Sequence, residues 1–263
     1  MYVYAVLSRR ARGLSIGVNL NPDKVCNFDC PYCQVDRTVP GGPSKVDVAV
    51  LAAELEHVLS RARAGTLWSH PLFATTPEAM RRVADVAFAG DGEPTTPPEF
   101  PAAAAAARER IDRITPGVPL RLLTNATMLD RPRVRAALPL FDALWCKLDA
   151  GTEPYFHEVD GTRMPFRKVL DNLLAVARER SIVIQAMFLA LDGAGPTEAE
   201  IEAWARRLRA IVDQGGRIEL VQVYTVARHP ADPRVSALPD ERLEAIAARA
   251  RAEGLETAVS GAG

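Results

Sequence analysis

"LSIGVNLNPDKVCNFDCPYC", residues 14–33, decides how the rest of the chain is read. Leu14–Leu20, "LSIGVNL", reads as a strand. The loop behind it carries Cys26, Cys30 and Cys33 in the spacing C-x3-C-x2-C. Three thiolates from one loop can face a single inorganic centre, and soft sulfur suits iron–sulfur or zinc. Structural zinc takes four ligands, yet the loop holds no histidine and no fourth cysteine, and the nearest histidine is His57. A closed zinc site would have to recruit Cys146 or a histidine. On a four-iron cube, three ligands would leave one iron open to a small molecule.

Outward from that loop, strand and helix patterns alternate. A helix is expected from Ser44, with a capping box to Asp47 and a face of Leu51, Leu55, Val58 and Leu59. "VADVAFAG" is a second strand ending at Gly90, the alanines of 102–107 a helix, and "VPLRLLTN" a third strand ending near Asn125. "FDALWCKLD" is the fourth strand and "IVIQAMFLA" the fifth, with a helix marked by Phe166, Val169, Leu170, Leu173 and Leu174 between them. Thr197 and Glu200 cap a helix bearing Ile201, Trp204, Leu208 and Ile211, "IELVQVYTV" is the sixth strand, and Asp240 caps a last helix through Leu243, Ile246 and Ala250. The order is βα repeated about six times, with no Gly/Ser linker. It predicts an α/β fold in one domain over 1–263, with a short N-terminal extension 1–13 and a C-terminal tail 253–263. Periodicity leaves open whether the sheet curls or stays Rossmann-like. Polar residues gather at the strand ends (Asn19, Glu93, Thr124, Asn125, Asp149, Gln185, Gln222), where parallel α/β folds bind ligands.

Composition sets the bounds. The chain has 263 residues, 48% apolar and 25% charged, and its 32 basic against 33 acidic groups leave a net charge of −1. That balance excludes a basic surface over the whole molecule, though not a local one. No apolar run approaches the length of a membrane span, and the early Arg9, Arg10 and Arg12 stand without an apolar run behind them, so neither a membrane segment nor a signal peptide is expected and the compartment is read as the cytoplasm. Four cysteines are too few for a disulfide scaffold and point to a metal site in a reducing environment.

With Tyr32 before its last cysteine, the C-x3-C-x2-C loop resembles the signature of the radical S-adenosylmethionine (SAM) superfamily. The resemblance covers roughly Leu14 to Ala250. It implies a partial (β/α)6 TIM-like barrel of the radical SAM type and one [4Fe–4S] cluster on Cys26, Cys30 and Cys33. The open iron would chelate SAM, and reductive cleavage would release a 5′-deoxyadenosyl radical. It also implies a flavodoxin- or ferredoxin-like reductant. "FAGDGEPT" is similar to the family's Gly-Gly-Glu element that receives the SAM amino group: Gly92 and Glu93 match its last two positions, Gly90 stands just before, and Asp91 replaces a glycine. Thr124 and Asn125 match polar positions near the methionyl group. Alternation puts Trp145, Lys147 and Asp149 on one strand face, and charges there need each other or a ligand. A SAM carboxylate or ribose and a plain salt bridge are the two readings. Gln185 and Gln222 are candidate contacts to adenine or ribose. Cys146 points the other way and is read as a small buried apolar residue.

The motif pattern looks closest to the branch related to tRNA wyosine synthases. No cysteine precedes Cys26, so the second cluster of the archaeal enzymes cannot be built. The expected substrate is a small molecule or nucleotide near Arg9, Arg10, Arg228 and His229, with tRNA as the disfavoured alternative. The other class considered is a non-catalytic metal-cluster module docking a partner through "PLFATTPEAM".

Overall fold

The computed structural model describes residues 1–8, 12–228 and 232–261, which divide into two compact units. The first comprises Met1–Cys26, Pro40–Leu123 and Asp130–Ala143. It contains β1 (Val3–Ser8), β2 (Gly13–Val18), α1 (Val48–Arg63), β3 (Val83–Phe88), α2 (Phe100–Ile114), β4 (Leu120–Thr124) and α3 (Pro132–Ala137). The strand order is β1-β2-β3-β4, with β2, β3 and β4 parallel. β1 runs antiparallel to β2, so residues expected as an extension add an edge strand. Residues 1–7 are apolar throughout, and the edge position leaves Val6 and Leu7 exposed. The amides of Tyr2 and Val3 donate to Glu54 Oε2 at 2.6 and 2.9 Å, tying it to α1.

Helix α1 starts at Val48 rather than Ser44, because Asp47 is the residue that caps it, accepting from the amides of Ala49 and Val50. Leu51, Leu55 and Leu59 are fully buried on one face, as their four-residue spacing predicts. The alanine run of α2 buries Ala103, Ala104 and Ala107 completely, while Phe100 stacks on Phe141 at 5.7 Å and Phe88 meets both edge to face at 6.0 and 5.2 Å.

The second unit comprises Asn27–Val39, Thr124–Leu129 and Leu144–Gly263. Its elements are β5 (Ala143–Lys147), α4 (Glu153–Val159), α5 (Phe166–Glu179), β6 (Ile182–Met187), β7 (Leu189–Leu191), α6 (Glu198–Asp213), β8 (Ile218–Tyr224), β9 (Val235–Ala237), α7 (Asp240–Ala252) and β10 (Thr257–Ser260). Strands β5-β6-β8-β10 lie in that order, all parallel. The expected tail therefore supplies a strand. "IVIQAMFLA" divides at Phe188: its amide donates to Tyr224 O at 2.8 Å, and β7 then pairs antiparallel with β9. Phe188 meets Trp204 edge to face at 5.0 Å, and the Trp204 indole donates to Leu148 O at 3.0 Å, so this core has no orphaned indole. Thr197 caps α6 as expected, accepting from Glu200 N. Asp240 is the first residue of α7, behind an extended Pro239 that carries no amide proton to satisfy.

Candidate cofactor site

In the second unit, the part of the cysteine loop that follows Cys26 is irregular backbone secured at several points. Asn27 Nδ2 donates to Thr127 Oγ1 at 2.7 Å, Thr127 Oγ1 donates to Asn125 Oδ1 at 2.7 Å, and Asn125 Nδ2 returns to Asn27 Oδ1 at 2.8 Å. The Thr124 hydroxyl accepts from Ala126 N at 3.0 Å. Thr124 and Asn125, expected beside a ligand, thus also shape the turn that holds the loop. Phe28 packs edge to face on Phe156 at 5.6 Å. The Asp29 amide donates to Gly161 O at 3.2 Å, the Thr162 hydroxyl reaches Asn27 O at 3.5 Å, and Cys33 N donates to Cys30 O at 2.9 Å.

Below the loop, the register aligns Lys147 with Gln185 and Gln185 with Gln222, a polar row across β5, β6 and β8. Gln185 Nε2 donates to Gln222 Oε1 at 3.1 Å. Lys147 Nζ is bonded to Asp149 Oδ2, lies 2.8 Å from Asp160 Oδ1, and sits 4.4 Å from the centre of the Tyr32 ring. The Tyr32 hydroxyl and Met187 N both donate to Asp149. Lys147 and Asp149 therefore do share a face, and they pair. Burial pushes the Asp160 carboxyl up to about 7 and raises Asp149, in both cases against the pull of Lys147. Burial disfavours the Lys147 charge, but the two carboxylates hold its pKa well above the lysine range. Asp160 escaped the sequence reading because it lies in the turn after a short helix. The Asp160-Gly161 pair, a common turn signal, was the one trace it left.

In the first unit, the "GDGE" element follows β3. A Cβ on Gly90 would stand 2.4 Å from Asn19 Oδ1, and one on Gly92 would stand 2.3 Å from Val25 O, so close approach demands glycine at both. Asp91 accepts from Asn19 Nδ2 at 2.7 Å and its amide donates back to Asn19 Oδ1 at 3.2 Å. Glu93 is buried at 3% exposure, and the Thr95 hydroxyl and amide donate to its Oε1.

None of the four cysteines is in a disulfide; the three of the motif are half-buried and Cys146 is fully buried, as its strand position predicts. Among the described residues, no three His, Cys, Asp or Glu side chains are gathered to hold a metal ion. The fit to a cluster therefore rests on the donor set: three reduced thiols in one loop, the soft ligands that iron–sulfur centres take. Burial pushes the Cys30 thiol up, and its Sγ lies 3.5 Å from Asp160 O and 3.8 Å from Oδ1. Arg228 is exposed, with its carbonyl accepting from Gln34 Nε2. Arg9, Arg10 and His229 lie outside the described residues. No helix among them is long and apolar enough to cross a membrane.

Residues 20–208 match the radical SAM superfamily, and the chain belongs to it. The superfamily's members are catalytic, which supports an enzyme, and membership brings a general capability for a [4Fe–4S] cluster and SAM. Over 98% of this chain and 69% of the other, the structure is similar to a radical SAM methyltransferase from Sphaerobacter thermophilus, with a TM-score of 0.69 at 18% identity. It is also similar to TYW1 with a lysine–pyruvate adduct bound, with a TM-score of 0.57 at 15% identity over 92% of this chain and 74% of that one. These likenesses show the expected α/β fold of the radical SAM type. In sequence, a UPF0026 protein of Helicobacter pylori is 29% identical over 191 residues, 70% of this chain and 53% of that protein. A protein named GTPase Obg from Brachyspira hyodysenteriae is 22% identical over 244 residues, 91% of this chain and 32% of that protein. The chain thus spans between about a third and a half of these curated relatives.

Proposed function

We propose that residues 1–263 act as one radical SAM domain with a single three-cysteine cluster and a substrate of small-molecule or nucleotide size. The observation that carries this reading is the C-x3-C-x2-C loop inside the stretch that matches the superfamily. When bound, the cluster and SAM would supply a 5′-deoxyadenosyl radical that takes a hydrogen atom from the substrate. Cys26, Cys30 and Cys33 would hold the cluster. In the first unit, Glu93 would accept the SAM ammonium; its carboxylate is desolvated and oriented by Thr95, which makes a charge-assisted bond worth more than in water. In the second unit, Lys147, Gln185 and Gln222 would offer donors to the SAM carboxylate and ribose, while Tyr32 fixes Asp149.

Within the superfamily, we assign the chain to the branch related to tRNA wyosine synthases but without a second cluster. The likeness to TYW1 supports that assignment, and within residues 1–263 Cys146 is the one cysteine outside the motif, too few for a second cluster. A cytoplasmic location and a flavodoxin- or ferredoxin-like reductant belong to the same reading. The chain carries no G-x4-G-K-[S/T] phosphate loop, so nothing here supports the GTPase activity named for its longer relative.

Anaerobic reconstitution with iron and sulfide tests the proposal. We expect a brown protein with about four irons per chain, retained in Cys146→Ala and largely lost when Cys26, Cys30 or Cys33 becomes alanine. A colourless four-ligand zinc protein, or loss of iron in a folded Cys146→Ala variant, would overturn it.

A further inference from the structure

The turn after α4 does more than end a helix. Within three residues it makes four approaches to the cysteine loop: the Asp160 carbonyl and carboxylate face Cys30 Sγ at 3.5 and 3.8 Å, Gly161 O accepts from Asp29 N, and the Thr162 hydroxyl reaches Asn27 O. Gly161 has a φ of +55°, and a Cβ there would stand 1.9 Å from Asp29 O, so the turn and loop are as close as backbones allow. The Asp160 side chain is 2% exposed and Lys147 bonds it at 2.8 Å, which fixes the carboxylate beside the sulfur. Lys147 is shared with Asp149, so one cation bonds two carboxyl groups and fixes both.

We propose that Asp160 is a positioning residue that holds the Cys30 edge of the loop and, as the carboxylate, places a negative charge there that lowers the reduction potential of the bound cluster. The physical ground is that a buried carboxylate beside a ligating sulfur disfavours adding an electron, because net charge and hydrogen bonding around the sulfurs set the potential of such centres. In low-dielectric surroundings that influence is little screened. Lys147 and the Gly161 turn fix the carboxylate's direction, so the effect belongs to this position rather than to the overall charge.

The proposal rests on the cluster reading above, and its test separates the two. Asp160→Asn keeps the shape and removes the charge; Asp160→Glu keeps the charge. Each variant and the unaltered protein would be reconstituted anaerobically, their iron counted, and their midpoint potentials measured by spectroscopic redox titration. We expect equal iron in all three, a higher midpoint in Asp160→Asn and a midpoint close to the unaltered protein in Asp160→Glu. Equal midpoints in the unaltered protein and Asp160→Asn, or equal upward shifts in both variants, would overturn the charge effect. Loss of iron in the variants would make Asp160 a folding residue and overturn it as well. An unaltered protein that takes up no iron would instead contradict the cluster reading itself.

Discussion

A Cβ on Gly161 would stand 1.9 Å from the carbonyl oxygen of Asp29. No rotamer relieves a clash between a Cβ and backbone, so the turn after α4 and the cysteine loop can keep their spacing only with glycine there. In Gly161→Ala, the left-handed backbone and the overlap together should cost about 2–4 kcal/mol. Because the strain falls on the loop, the variant should also take up less iron. Urea unfolding and iron analysis check this. Unchanged values of both would show that the loop yields freely.

Glu93 is buried with its Oε1 held by Thr95. Glu93→Gln keeps that hydrogen bonding but loses the charge that a SAM ammonium would meet, a bond worth roughly 1.5–3 kcal/mol. We expect SAM to bind about ten- to a hundred-fold more weakly, with iron content normal. Calorimetric titration giving the unaltered affinity would reduce "GDGE" to a plain βα turn.

A net charge of −1 bears on substrate size. Whole tRNA is bound largely through phosphates, with affinity falling steeply as salt rises. We expect filter binding to bulk tRNA to be weak at physiological salt. Tight binding whose salt slope implies about five or more released counterions would move tRNA to first place as substrate.

Much of this was legible in the sequence because buried parallel strands read as apolar runs and core helices repeat every three to four residues. Leu51, Leu55 and Leu59 were found on one face for that reason, and Lys147 and Asp149 were placed together by the two-residue period of a strand. The misses share a different cause. β1 is an apolar stretch that runs antiparallel to β2, and β10 is only four residues long, so neither fits the βα repeat. Ser44 and Asp47 compete on paper for one cap, and geometry favoured the carboxylate that reaches two amides. Asp160, Asn27 and Thr127 act across long sequence separations from turns and loops, where no periodicity reports them.

The central claim is that the three-cysteine loop holds a cluster that cleaves SAM. Its most direct test is the yield of 5′-deoxyadenosine from SAM by the anaerobically reconstituted, chemically reduced protein, measured beside Cys30→Ala. The account predicts 5′-deoxyadenosine from the unaltered protein and none above background from the variant. Equal yields from the two, or none from a protein loaded with about four irons, would contradict it.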